Sequence, residues 1–419
     1  MLQKSERTLL LVLAAIQFTN IVDFMIMMPM GDILKKELSI GPQQYGLLVS
    51  SYGIAAFVTA FAGVFYLDNL DRRKALLTAY FGFMLGTLSS AILPNTSEDS
   101  INYLIFIFTR VITGLTGGLL GGLVMSIIGD AIPIERRGRA MGVVTISFSL
   151  AAILGMPVAL TLVDLFDNNW HVPFYGVTLL ALPIWLLAFK SIPPMSEHLK
   201  NRTHFDRTAA IRLAVQSREQ RNALLFTVLL VLGQFTVISF MTPYYINNVG
   251  LMQSDIKWIY LVGGAATVVS GFAIGRMVDR IGRFRVFTVA ALLSIIPVLV
   301  ITHLPHVPLW VVLVIAGFFF VLISGRMIPA NTIATTVVNP EQRAGFMSLN
   351  SAMMSLASGS SGIISGLIIS QVDENSPLMH YEWVGYLAAV STILSLLVVR
   401  ILKRIADEKA ANAHATARP

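Results

Sequence analysis

An acidic residue lies in the middle of an otherwise apolar stretch near the start of the chain, which reads QFTNIVDFMIMMPM at residues 17–30. This residue is Asp23, and a second apolar stretch further along the chain contains Arg110. An ionisable side chain surrounded by hydrocarbon is costly unless it is paired or hydrated, and such residues usually serve protons, ions or substrates. Asp23 and Arg110 are therefore the first candidates for chemistry in this chain.

The composition indicates an integral membrane protein. The 419 residues are 55% hydrophobic and only 13% charged, whereas soluble domains carry roughly a quarter charged residues. The net charge of +7 is spread over short groups between apolar runs, so we expect no nucleic-acid partner, which would need one basic patch. Cysteine is absent and the histidines are scattered, so we expect no disulfide and no metal site.

Twelve apolar stretches of about 20 residues, the length that crosses a bilayer, recur along the chain. They predict an all-α membrane protein with twelve transmembrane helices in two pseudo-symmetric six-helix bundles. The expected parts are an N-terminal bundle at 1–192, a cytoplasmic linker at 193–221, a C-terminal bundle at 222–402 and a cytoplasmic tail at 403–419. The linker is either a solvated tether or an interfacial helix, because apolar residues lie among its basic ones.

The distribution of lysine and arginine over the short loops predicts the orientation. If the N-terminus is cytoplasmic, the outside receives only Lys35, Lys36 and Lys257, and all other loop cations fall inside. We therefore expect both termini in the cytoplasm, in agreement with the even number of spans.

The depths of Asp23 and Arg110 are similar in this arrangement. At 1.5 Å per residue, Asp23 lies about 22 Å from the inner end of its helix and Arg110 about 13 Å from the outer end of its own. Burial favours the neutral acid, whereas a guanidinium, which stays protonated, favours the carboxylate. A cavity that alternately admits water could thus load and release a proton at Asp23; the alternative is a structural ion pair.

Two loops of the first half correspond to two loops of the second half at nearly the same offset. The paired segments are YLDNLDRRKAL (66–76) with GRMVDRIGRFRVF (275–287), and ERRGRAMG (135–142) with EQRAGFMS (341–348). This internal repeat predicts two related six-helix halves with a binding site between them, near the bilayer midplane.

These segments carry a family resemblance that covers the whole chain in topology. GRMVDRIGRF (275–284) resembles the signature G-x-L-x-D-R-x-G-R-[RK] of the major facilitator superfamily, and RVITGLTGGLLGG (110–122) is similar to its R-x-x-x-G-x-x-x-G motif. VDFMIMMP (22–29) resembles the acidic motif of the proton-driven drug and sugar exporters of that superfamily, among which the arabinose-efflux-like permeases are most similar. The resemblance implies a monomeric transporter of the bacterial cytoplasmic membrane.

The resemblance also implies a gate at the cytoplasmic helix ends. In the family, the loop carboxylates face the N-terminus of a neighbouring helix, which stabilises them by roughly 0.3–1 kcal/mol. Such contacts can hold the two halves together in the outward-open state. The gating residues expected on this basis are Asp68, Arg72, Gly275, Asp279, Arg280, Gly282 and Arg283. Ordinary basic loops with incidental acids are the alternative.

Glycines predict close helix packing in the fourth span. Gly114, Gly118 and Gly122 recur every four residues, a spacing that lets membrane helices approach closely. In the fifth span, SLAAILGMPVAL (149–160) resembles the exporter motif G-x-x-x-G-P-x-x-G-G, but its proline is displaced by one residue and the final glycines are missing. The resemblance therefore supports transport more strongly than antiport.

The predicted function is proton-coupled export of small organic molecules, drug-like or sugar-like, by alternating access. Asp23 and Arg110 would couple the proton, and the partners would be the small-molecule substrate, protons and the lipid bilayer. The polar residues expected to line the substrate cavity are Gln17, Asn20, Gln234, Tyr244, Tyr245, Arg326, Asn331 and Asn350. Each could equally satisfy a neighbouring backbone group, and Arg326 would contact an anionic group or extend to the cytoplasmic surface.

Other functions remain as alternatives. Uptake of a small solute, or transport of a lipid-like substrate, would use the same scaffold. A membrane-embedded enzyme would need paired acids or a histidine cluster at a membrane face, and we expect no enzyme here. A receptor would not need Asp23. The phosphate-binding pattern G-x-x-x-x-G-K-[ST] is absent, so we expect neither direct use of ATP nor another cofactor.

Overall fold

The computed structural model describes residues 4–93, 99–196, 212, 216–336, 338 and 343–416. We call the helices before the predicted linker the first half and those after it the second half. The first half contains α1 (Lys4–Ile26), α2 (Gly31–Glu37), α3 (Pro42–Tyr66), α4 (Arg72–Ala91), α5 (Asp99–Ala131), α6 (Ile134–Leu150), α7 (Met156–Leu165) and α8 (Val172–Ser191). The second half contains α9 (Arg218–Asn247), α10 (Gln253–Ile281), α11 (Arg283–Thr302), α12 (Leu309–Thr336), α13 (Arg343–Ile368) and α14 (Tyr381–Thr416).

Eleven helices of the described residues are long and apolar enough to cross a membrane, with α6 and α7 forming one of them. The remaining long helix is α4, which begins with Arg72, Arg73 and Lys74 and is less apolar for that reason. With α4 included, twelve helices form two bundles of six, and the predicted all-α membrane fold is confirmed.

Three predicted boundaries differ from the structure or fall outside it. The apolar stretch that contains Asp23 continues to residue 30, but the first helix ends at Ile26, because Pro29 lacks an amide proton and restricts the residue before it. The chain then turns into the short helix α2, which the sequence analysis did not predict. Most of the predicted linker lies outside the described residues, and α14 continues past residue 403 to Thr416.

The two ends of the bundle differ in charge. We call the end where α1 begins the basic face, because Arg72, Arg136 and Arg283 lie there at helix starts. The opposite end, which we call the distal face, is formed by α2 and by the loops at 166–171, 248–252 and 369–380.

Glycines bring α5 close to α3 within the first half. A Cβ atom at Gly118 would lie 2.5 Å from the Cα of Ala56, and one at Gly114 would clash with the backbone of Tyr52. Gly122 has more room, since the nearest atom to a Cβ there would be 4.0 Å away on Leu67. Two of the three predicted glycines thus lie where backbones touch, which is how small residues stabilise helix pairs in membranes.

A second glycine contact joins the two halves, between α3 and α13. A Cβ atom at Gly53 would lie 2.5 Å from the Cα of Gly359, and one at Gly46 would clash with the carbonyl of Gly362. No side chain fits between these backbones, so α3 and α13 touch directly. The sequence analysis missed this interface; the spacing of Gly46 to Gly53 and of Gly359 to Gly362 and Gly366 was the available signal.

Another close contact between the halves involves a π-turn. Residues Ala151–Gly155 form this turn between α6 and α7, just before Pro157, which cannot donate a backbone hydrogen bond. A Cβ atom at Gly264 of α10 would lie 2.9 Å from the Cα of Ile153. Each half therefore meets the other through a helix pair with a glycine at the closest approach.

Candidate functional site

Asp23 and Arg110 form a buried ion pair between α1 and α5. Arg110 Nη1 donates a hydrogen bond to Asp23 Oδ2 at 2.9 Å, and Nη2 donates to the backbone carbonyl of Asp23 at 3.2 Å. Thr87 of α4 donates its hydroxyl to the other carboxylate oxygen, Oδ1, at 3.1 Å. Both charged side chains have 0% exposure. Three helices of the first half thus meet at one carboxylate.

Two aromatic rings complete the surroundings of the guanidinium. The Cζ atom of Arg110 lies 5.0 Å from the ring centre of Tyr52 and 5.7 Å from that of Phe174, distances at which a cation is attracted to a ring face. Arg110 Nε has no acceptor among the described residues. Because arginine does not lose its proton in proteins, Asp23 is the member of this pair that could bind and release one.

Polar side chains lead along α1 from the basic face toward this pair. Asn20 accepts a hydrogen bond from the Tyr52 hydroxyl at 2.6 Å and donates to the carbonyl of Gly117 at 3.5 Å. Gln17, one turn closer to the basic face, lies beside Gly121, where a Cβ atom would be 3.7 Å from its amide nitrogen. Both amides are half-buried. The ion pair itself is sealed from solvent in this conformation.

Hydrogen bonds between the two halves close the distal face above the ion pair. Two of them are short and involve charged side chains of α2: Asn247 Nδ2 donates to Asp32 Oδ1 at 2.6 Å, and Lys35 Nζ donates to Gln371 Oε1 at 2.7 Å. Further bonds between the halves run from Tyr45 to the carbonyl of Ser239, from Gln253 to the carbonyl of Pro29 and from Lys257 to Asp164. A path from this face to Asp23 would require these contacts to break.

Lys35 is the most unusual of these side chains, because it is a lysine with 0% exposure at a membrane surface. Burial lowers its pKa to about 8, and the Asp32 carboxylate opposes this effect only in part. Of the other charges nearby, Lys36 also lowers the pKa of Lys35 and Glu374 raises it. When the distal face is closed, Lys35 therefore binds its proton less tightly than a lysine exposed to water does.

We expect the opening of the distal face to depend on pH through Lys35. An open face would hydrate the side chain and return its pKa toward the ordinary 10.5, from about 8 when closed. The open face then binds the proton better, so rising pH favours closure between these two values, and the equilibrium is flat below about 8. Spin labels on cysteines placed at Ser39 and Val372 would report the distance across the face, since the chain has no native cysteine.

The matched variants for this measurement are Lys35→Met and Lys36→Met. Lys35→Met should lose the pH dependence, whereas Lys36→Met should keep it, because the Lys36 side chain is 39% exposed. An unchanged pH profile in Lys35→Met would assign the dependence to another group.

Three of the predicted cavity residues lie on α9. Tyr244 donates its hydroxyl to the carbonyl of Leu304 at 3.0 Å, which is a packing role within the second half. The hydroxyl of Tyr245 and Oε1 of Gln234 are buried without a partner among the described residues. The hydroxyl of Tyr244 is thus satisfied within the second half, and a substrate role for Gln234 and Tyr245 stays a prediction.

The two predicted asparagines of the second half lie at different places. Asn350 of α13 accepts a hydrogen bond from Thr227 Oγ1 of α9 at 2.7 Å. Asn331 is exposed on α12, in its last turns before the basic face. The structure does not bring either of them to the Asp23–Arg110 pair.

Arg326 does not extend to the surface, and no acid among the described residues contacts it. Its side chain is 0% exposed inside the second half, where Nη1 donates to Ser294 Oγ at 3.3 Å and to Thr392 Oγ1 at 3.0 Å. Of the two alternatives predicted for it, extension to the surface is wrong, because α11 and α14 cover the guanidinium.

Arg72, predicted as a gating residue of the first half, pairs with an acid that the sequence analysis missed. Arg72 Nε lies 3.2 Å from Asp130 Oδ2 at the end of α5, and Nη1 donates to the carbonyl of Leu67 at 3.3 Å. The side chain of Asp68 lies outside the described part of the structure. Asp130 could have been found from the sequence as the acid at the end of the fourth span, on the same side of the bundle as the loop that carries Arg72.

The corresponding residues of the second half are more open. Asp279 and Arg280 are exposed, and Gly275 has no described atom within 4 Å of where a Cβ atom would stand. Gly282 has φ +90° and links the end of α10 to the start of α11, a backbone conformation that favours glycine. The Arg283 guanidinium lies 5.6 Å from the ring centre of the next residue.

A family comparison agrees with this architecture. A model of the Major Facilitator Superfamily matches residues 13–321 and 223–418, which together span most of the chain. The chain therefore belongs to the major facilitator superfamily and is an integral membrane transporter, so the expectation that it is not an enzyme is confirmed.

Individual relatives are distant but cover much of the chain. A probable sugar efflux transporter of Helicobacter pylori is 22% identical over 388 residues, which are 91% of this chain and 92% of that protein. A chloramphenicol efflux pump of Mycobacterium tuberculosis is 25% identical over 260 residues, or 60% of this chain and 59% of the pump. Among solved structures, a D-xylose-proton symporter shares the fold with a TM-score of 0.75 at 16% identity, covering 93% of this chain and 97% of that one.

Proposed function

We propose that this transporter is proton-coupled and exports small organic molecules, drug-like or sugar-like, by alternating access. The observation that carries the proposal is the Asp23–Arg110 pair, an ionisable acid with 0% exposure in the centre of the first half. Such residues within a membrane bundle are expensive and usually functional. The relatives named for sugar efflux and chloramphenicol efflux support export of small molecules.

In the proposed cycle, Asp23 changes its proton while Arg110 stays charged. When the distal face opens, water reaches Asp23 from the outside and a proton binds, which neutralises the acid and weakens its ion pair with Arg110. When the distal face closes, the half-buried amides of Gln17 and Asn20 provide the polar path toward the basic face. Release of the proton there restores the ion pair seen in this structure.

The gate at the basic face would close when the distal face opens. We propose that the loop acids Asp68 and Asp279, with the cations around them, join the two halves when the basic face closes. The exposure of Asp279 and Arg280 supports a state in which the second-half contact is open. Both termini would then be cytoplasmic in a bacterial cell membrane, and the transporter would act as a monomer.

Transport by the purified chain in liposomes tests the coupling and its direction. Labelled chloramphenicol and D-xylose serve as probes, with a pH gradient imposed in either sense and the membrane potential clamped. Accumulation of a probe in liposomes with an acidic interior indicates antiport and export, whereas accumulation with an acidic exterior indicates symport and uptake. Because a coupled transport cycle can run in either direction, the result does not depend on which way the protein faces in the liposome membrane. Probe movement that is unaffected by a pH gradient in either direction would contradict proton coupling.

A further inference from the structure

The second half contains a buried arginine that the proposed cycle does not use. Arg326 has 0% exposure, and its Nη1 atom donates to the hydroxyls of Ser294 on α11 and Thr392 on α14. Its Nε and Nη2 atoms have no acceptor among the described residues. These two nitrogens form one edge of the planar guanidinium, the edge that binds anions with two parallel hydrogen bonds.

The charge of Arg326 is also uncompensated. No carboxylate of the described residues pairs with it, and the two hydroxyls are neutral acceptors. Each hydroxyl already donates to its own helix, Ser294 to the carbonyl of Ala291 and Thr392 to that of Ala388, both at 2.8 Å. Their protons are therefore engaged, and as neutral oxygens that accept from Nη1 they do not balance the charge of the guanidinium. Arginine cannot shed its proton to escape burial, and an unpaired buried charge is strongly destabilising.

Comparison of the two halves shows that the second half lacks an acid beside its buried arginine. Arg110 lies on the fourth spanning helix of the first half and Arg326 on the fourth spanning helix of the second half. A hydroxyl from the third spanning helix lies near each arginine. Thr87 donates to the Asp23 carboxylate that pairs with Arg110, and Ser294 accepts a hydrogen bond from Arg326 itself. The first helix of the first half supplies Asp23, whereas α9, the first helix of the second half, has no acid beyond Glu219 in its first turn. The fourth spanning helix of each half thus carries a buried arginine, at positions that the loop repeat does not align, and only the first half supplies an acid to its arginine.

We propose that the Nε/Nη2 edge of Arg326 binds a small monovalent inorganic anion, of which chloride is the representative. The anion would balance the charge of the Arg326 guanidinium, as the Asp23 carboxylate balances that of Arg110. A small ion is required because α11, α12 and α14 enclose the guanidinium. A neutral water molecule could accept the hydrogen bonds but could not balance the charge. This site is independent of the proton-coupling pair.

Thermal unfolding of the purified chain in different sodium salts tests this site. At constant ionic strength, replacing gluconate, which is too large to enter, by chloride or bromide should raise the unfolding temperature by about 2–5 °C and then saturate. Arg326→Gln should abolish this rise, and Arg400→Gln, which removes an exposed arginine of α14, should preserve it. Crystals grown in bromide should show an anomalous peak within hydrogen-bond distance of Nε and Nη2.

Several results would overturn the proposal. Equal unfolding temperatures in gluconate and chloride would exclude a halide site, and stabilisation by acetate alone would identify a carboxylate site instead. A chloride effect that persists in Arg326→Gln would place the ion elsewhere. If Arg326→Gln does not fold, the bromide peak in the native chain decides, and its absence from the guanidinium edge rejects the site.

Discussion

Asp23→Asn is expected to abolish accumulation driven by a pH gradient while leaving exchange down a concentration gradient. The amide has the shape of the protonated acid and can keep the hydrogen bond with Thr87, but it cannot bind or release a proton. One proton per substrate, moving down one pH unit, supports about a tenfold accumulation ratio. We therefore expect that ratio to fall to one in the variant, measured with the same liposomes and probes.

The control for this measurement is Asp407→Asn, which neutralises an exposed acid of α14. It should accumulate substrate as the native chain does. Native accumulation in Asp23→Asn would remove Asp23 from the coupling step and leave the pair with Arg110 as a structural contact. Loss of both accumulation and downhill exchange would point to a packing defect, which the unfolding temperature of the variant would reveal.

Arg110→Met is expected to destabilise the protein strongly. Removing one member of a buried ion pair leaves the other charge without compensation, which costs about 3–5 kcal/mol. The contacts with the Tyr52 and Phe174 rings are lost as well. Thermal unfolding in detergent should show a large drop, and Asp23→Asn in the same chain should recover most of it, because a neutral pair is tolerated. Equal unfolding temperatures in the single and double variants would show that the two charges are not coupled.

Arg110→Lys separates charge from geometry at the same position. A lysine keeps the charge but cannot bind both the carboxylate and the backbone carbonyl of Asp23 with one planar group, as Arg110 does. We expect folded protein with transport reduced at least about tenfold. Native transport rates in this variant would show that only the charge matters.

The fold could be predicted from the sequence because a bilayer imposes one simple demand, apolar helices of a fixed length. Repeated apolar stretches and the loop repeat gave twelve helices in two halves, and the family motifs identified a superfamily that the comparison confirms. The prediction failed locally where a backbone rule overrode hydropathy. The apolar run Met27–Met30 continues the first span by composition, but Pro29 ends the helix and α2 follows.

The pair of Asp23 and Arg110 could be named from the sequence because charges are rare in these spans, and helix geometry gave their depths. The partners around the pair could not be named. Thr87 and Tyr52 are ordinary membrane-helix residues, and only the packing of α3 and α4 against α1 brings them to the site. The sequence predicted only that Lys35 lies on the outer side of the membrane. Its burial could not be predicted, because no local pattern reveals that Gln371, far along the chain, would cover it.

The π-turn at Ala151–Gly155 bears on how this helix should be aligned with exporters. Such a turn accommodates one additional residue within a helix, so everything after it is rotated as though that residue were absent. Relative to α6, Pro157 therefore occupies the angular position that residue 156 would have in an uninterrupted helix. A single-residue gap placed inside the turn brings the proline, although not Gly155, into register with the exporter motif. The displacement of the proline then reflects one inserted residue that the helix absorbs, and the missing final glycines remain as a difference from the motif.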